Sequence, residues 1–129
     1  MRRDHVVRTA LGLSVPFNLA AAYLFAMPGS ALGRMQGMPA DAPPLYCALV
    51  ALFLCLFAGA YAWLCVQSEI SRPLVAFSAI GKSLAFFTFV LLWLGKLGPA
   101  SAARGSIGDA VLAGVFAWWL LGSAGRTKT

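Results

Sequence analysis

Charge is scarce in this chain. Only 11% of its 129 residues are Asp, Glu, Lys or Arg, while 60% are hydrophobic; a soluble domain carries about 25% charged residues. The polar side chains needed to cover a water-soluble globule of this size are missing. The same figures exclude a disordered chain, which is polar and charged. Histidine occurs once, as His5. That leaves no Ser/His/Asp set and no histidine inside the apolar runs to serve as an axial haem ligand. No C-x-x-C is present, which removes the usual signature of a membrane thiol oxidoreductase. The three cysteines, Cys47, Cys55 and Cys65, fall in one apolar run. Along a helix they are too far apart for a disulfide, and they lack the clustered partners a metal ion needs. They read as apolar structural residues, and neither a metal nor a cofactor is expected. The segment GSALGRMQG lacks P-loop spacing and its Lys-Ser/Thr, so it reads as a turn. Ten Lys and Arg against four Asp and Glu give a formal charge of +6. These basic residues flank apolar runs and form no stripe interleaved with aromatics, so nucleic-acid binding is not expected.

What the chain does have is four long apolar runs: Thr9–Met27, Leu45–Val66, Leu74–Leu94 and Ala103–Leu121. Crossing about 30 Å of hydrocarbon takes roughly 20 helical residues, and each run meets or nearly meets that length. The runs lack the alternation of barrel strands. The expected fold is therefore all-α, a single integral membrane domain over residues 1–129 built as a four-helix bundle in the lipid bilayer. Pro28–Pro44, rich in Gly and Pro, reads as an irregular loop. Gln67–Pro73 reads as a tight polar turn, and Gly95–Ala102 as the break between the third and fourth spans.

Four spans put Arg2, Arg3, Arg8, Arg72, Arg126 and Lys128 on one side and Arg34, Lys96 and Arg104 on the other. Six against three favours both termini in the cytoplasm. Tyr46 and Trp93 then fall near outer span ends, and Trp63, Trp118 and Trp119 near inner ends, as interfacial aromatics do. A cleaved signal peptide is the competing account of the N-terminus, with MRRDHVVR as the charged region and Gly29-Ser30-Ala31 as small residues near a cleavage site. Against it stand an apolar stretch longer than the usual 7–15 residues and Asn18 at its centre.

Helices associate in lipid where small side chains let backbones approach, and every span has such a stripe. They are Ser14, Asn18, Ala21 and Ala22; Ala51, Cys55, Ala58, Gly59 and Ala62; Ser78, Gly81, Lys82 and Ala85; and Asp109, Ala113 and Ala117. From these stripes Ala51, Cys55, Gly59, Gly81, Ala113 and Ala117 are expected at helix contacts, with the larger Leu, Phe and Val residues toward lipid.

Lys82 is the most informative residue. A mid-span Lys costs about 2.5–3.5 kcal/mol on insertion scales, and the apolar residues of its run offset this at about 0.3–0.6 kcal/mol each. Three readings stand: snorkelling to the near interface, a structural pair, or a functional polar site. Asn18 and Asp109 lie at comparable depths and complete a candidate intramembrane cluster of Asn18, Lys82 and Asp109. Side chains lean toward their helix N-terminus, so Lys82 and Asp109 lean apart. On that ground Asn18 is the better expected partner, and Asp109 is expected to cap the start of its own helix.

The segments GLSVPFNLAAAYLFAMP, AIGKSLAF and GDAVLAGVFAWWL resemble small bacterial four-span membrane proteins of the DoxX-like kind. The resemblance implies a bacterial inner-membrane setting and carries no catalytic residues. The leading expectation is a non-enzymatic accessory or interaction subunit, partnered by another membrane protein or by a second copy of itself. The alternative is a small transporter or channel with a polar path around Asn18, Lys82 and Asp109.

Overall fold

The computed structural model describes residues 2–123, and every regular element among them is a helix. They are α1 (Arg2–Ala26), α2 (Ala31–Met35), α3 (Pro44–Val66), α4 (Arg72–Leu94), α5 (Ala100–Gly105) and α6 (Ile107–Ser123). Four helical stretches are long and apolar enough to cross a membrane: α1, α3, α4 and the stacked pair α5–α6 over Ala100–Gly122. The chain is a multi-pass membrane protein. Arg126 and Lys128, part of the charge count above, lie outside the described residues.

Element boundaries depart from expectation in three places. α1 begins at Arg2, so RRDHVVR is helical, and Pro16 sits inside the helix without ending it. The loop after α1 contains α2, capped by the Ser30 hydroxyl, which accepts from the Gly33 amide at 3.0 Å. A Cβ at Gly33 would lie 2.2 Å from the Pro28 carbonyl oxygen, so only glycine lets α2 fold back this tightly. The fourth span is broken at Ser106, whose hydroxyl donates to the Ala103 carbonyl at 2.7 Å.

α1 packs on α3, α4 on α6, and α1 on α6, while the α3–α4 seam has no comparable backbone packing. Side chains fill part of that seam, with Phe57 stacked on Phe77 at a ring-centroid distance of 5.9 Å. One end of the bundle, the turn end, holds the start of α1 and the 67–71 turn. The other, the loop end, holds α2. The packed core lies toward the turn end and comprises Val7, Ala10, Leu11, Tyr61, Leu64, Val75, Phe116 and Trp119.

Cations tie the turn end together. Neither α3 nor α6 has a basic residue in its last turn, although a helix C-terminus favours one. Neighbouring helices supply it. Arg8 of α1 donates to the Cys65 and Ser68 carbonyls at 2.8 and 2.9 Å, and Arg72 of α4 donates to the Leu120 carbonyl at 3.1 Å. Arg3 lies over the Trp118 ring at 4.8 Å. Trp119, near the inner end of its span, is buried at 4% exposure, and its indole N–H donates to Asp4 at 2.8 Å.

The small-residue stripes are corrected in part. Ser14, Asn18, Ala22, Ala51, Ala58, Ser78, Lys82 and Ala113 are buried. Cys55, Gly59, Ala62 and Ala117 are exposed on the outer surface, and Gly81 is half-buried with open space where a Cβ would stand. The spans are apolar on all sides, so a stripe of small residues does not by itself choose the buried face. On α3 that face carries Tyr61 and Leu64 as well as alanines. On α1, Gly12 faces α3, and a Cβ there would stand in ordinary contact with the Cys65 sulfur, at 3.6 Å.

Candidate functional site: a buried ion pair at the floor of a cavity

Three helices bring the polar residues together. Lys82 projects from the middle of α4, Asn18 from α1 and Asp109 from the first turn of α6. The Lys82 ammonium donates to Asp109 Oδ1 at 2.9 Å and to Asn18 Oδ1 at 3.3 Å. Its side chain is 3% exposed and that of Asp109 15%. The ammonium is held inside the bundle, which overturns the snorkelling reading. The preference for Asn18 over Asp109 is also corrected, because Asp109 is the nearer partner. Backbone lean directs only the first bond of a side chain, and the flexible four-carbon stem of a lysine carries the charge across. The break at Ser106 leaves Asp109 in the first turn of α6, where the helix dipole favours a carboxylate. Asp109 thus occupies the expected helix-start position and pairs with Lys82 as well.

Two aromatic residues missing from the sequence-derived cluster complete the surroundings of the ammonium. The Tyr61 ring lies 5.0 Å and the Phe17 ring 5.1 Å from Lys82 Nζ, within the range of cation–π attraction. Tyr61 also packs on Phe57 and Phe116, at 6.3 and 6.4 Å between ring centroids. It therefore joins the ion pair to the core beneath. Phe17 packs against Gly108, where a Cβ would stand 2.5 Å from a ring carbon. A signal for Tyr61 was present in the sequence, as a hydroxyl several residues inside an apolar span. Gly108 beside Asp109 carried none, because its use depends on what α1 places opposite it.

Above this floor, toward the loop end, is a cavity of about 470 Å³. That is within the size range of small-molecule sites. Its walls are mainly apolar and aromatic, with Phe25, Leu54, Phe57 and Phe89 among them. Gln36, Ser101 and Ser106 supply polar atoms toward the loop end, and Asn18, Lys82, Asp109 and Tyr61 form the floor. The Ser101 hydroxyl donates to the Gln36 carbonyl, holding the α2 loop against α5. A separate depression of about 500 Å³ near Met27, Pro28 and Pro44 has no acidic or basic side chain in its lining and lies away from the ion pair.

Protein-family models, curated proteins and solved structures contain no match to this chain.

Proposed function

We propose that this chain is a non-enzymatic membrane protein that binds a small molecule in its cavity and acts as a carrier. The observation that carries this reading is a ligand-sized cavity ending on a buried Lys–Asp pair. Ionisable groups inside spans are costly, and they commonly mark substrate or ion pathways. The expected accessory-subunit role has the short loops in its favour, but it gives the cavity no use. An open channel is disfavoured by the packed turn end, where Val7, Leu11, Val75 and Phe116 are fully buried. The setting proposed is the bacterial inner membrane, with the turn end in the cytoplasm. This follows from the charge count and from the DoxX-like resemblance.

Cysteine accessibility tests the reading. Cys47, Cys55 and Cys65 are replaced by Ala, and single cysteines are introduced by Ala85→Cys in the cavity wall or Val75→Cys in the core. A thiol reacts as its thiolate, so a small uncharged water-soluble reagent reports wet positions. Labelling at position 85 without labelling at 75 is the expected result. Labelling at both indicates a continuous channel. Labelling at neither overturns the carrier reading and returns the chain to the accessory role.

A further inference from the structure

We infer that the ligand of this cavity is electrically neutral: an apolar molecule carrying a hydroxyl or N–H donor. The inference rests on the carrier reading and deepens it. The floor is already neutral, since one ammonium and one carboxylate are in contact at 2.9 Å. A charged ligand would leave an uncompensated charge in surroundings of low dielectric, which is strongly unfavourable.

The two floor charges are not equally available. The Lys82 ammonium is enclosed by Asp109, Asn18 and two ring faces and is almost fully buried. Asp109 is the more exposed partner, and it accepts from Lys82 through Oδ1. Its Oδ2 receives no donor among the described residues. No buried side-chain polar atom among the described residues lacks a partner, so Oδ2 is accessible, and Asp109 lines the cavity. The floor therefore presents a carboxylate acceptor beside the Asn18 amide N–H, which likewise meets no acceptor among the described residues, and a hydroxyl matches both.

An anionic ligand would have to displace Asp109 from Lys82 and leave that carboxylate among apolar walls. A cationic ligand would meet the carboxylate but also the Lys82 ammonium beside it. A neutral donor satisfies Oδ2 and disturbs neither charge. The apolar remainder of such a molecule matches the walls. It also matches the α3–α4 seam, where Val50 and Leu54 face Gly81, Ala85 and Phe89 around the cavity. The Phe57–Phe77 stack closes this seam toward the turn end. Above it the helices lack close backbone packing, which leaves a way in from the bilayer.

The test uses three photoreactive probes with the same diazirine-bearing chain: dodecanol, dodecylammonium and dodecanoate. Each is added to the protein in phosphatidylcholine nanodiscs at equal bilayer concentration, and labelled residues are read by mass spectrometry. The alcohol is expected to label cavity-wall residues about tenfold more than either charged probe, and excess unlabelled dodecanol should compete. Gly81→Leu and Ala85→Leu fill the cavity without touching the ion pair, and should abolish this labelling. Gly114→Leu, on the exposed face of α6, should leave it intact. Equal or stronger cavity labelling by a charged probe overturns the neutral-ligand inference while the cavity reading stands. Labelling by all three probes that ignores both cavity-filling variants overturns the cavity reading, and the inference with it.

Discussion

At the residue scale the central fact is a lysine whose charge is met from several sides inside an apolar bundle. Removing one partner of a buried pair costs about 3–5 kcal/mol, whereas replacing both by apolar residues is often neutral. Lys82→Leu is expected to insert normally, since the span loses a charge, yet to fold less stably because Asp109 is left alone. Asp109→Leu should behave alike. The double variant should be more stable than either single one and should lose ligand binding. Unfolding in micelles measures all three, and strictly additive losses would show that the two residues do not act as a pair. The sequence allowed Lys82, Asn18 and Asp109 to be grouped by depth. It did not rank the partners, because side-chain reach and the break at Ser106 are properties of the folded backbone.

Among the elements, α4 ends in an unusual way. The Leu97 amide donates to the Leu92 carbonyl at 2.8 Å, and the Lys96 amide to Trp93 at 3.0 Å, the pairing of a Schellman motif. The residue that must adopt left-handed backbone is Lys96, with φ of 59°, although Gly95 stands one position earlier. Only glycine adopts that conformation without a Cβ clash. Lys96→Gly is therefore expected to stabilise the protein by about 1 kcal/mol, seen as a higher unfolding midpoint in micelles. A lower midpoint would mean that the lysine side chain contributes more at this position than its backbone costs. Gly95–Ala102 was legible as a helix break. Which of its residues turns left-handed was not, because that depends on where the last helical hydrogen bond falls.

For the whole molecule, orientation is decided by charges at the two ends of the bundle. A cytoplasmic reporter inserted in the 67–71 turn should be active, and a periplasmic reporter at 38–42 should be active in the same chain. The reverse pattern would invert the topology and turn the cavity end toward the cytoplasm. Arg8 and Arg72 belong to this scale too. In the sequence they are positive charges beside spans, and in the fold they join the ends of neighbouring helices. Arg8→Lys should therefore preserve topology while lowering the unfolding midpoint, since an ammonium does not reproduce the two-pronged donation of a guanidinium. An unchanged midpoint would leave Arg8 with a topological role alone.

Four long apolar helices follow from the sequence by itself. In hydrocarbon a backbone must satisfy its own hydrogen bonds, and the length of an apolar run fixes whether it can cross. The same physics makes the facing of each helix invisible. Lipid is as apolar as a protein core, so no strong polar face marks the outside, and Cys55, Gly59 and Ala117 turn outward despite belonging to small-residue stripes. Only the tertiary structure decided that Tyr61, Phe17 and Gly108 gather around Lys82, that Asp109 is its nearer partner, and that a cavity remains above them. These outcomes depend on which side chains three or four different helices bring to the same depth. No single helix carries that information in its own pattern.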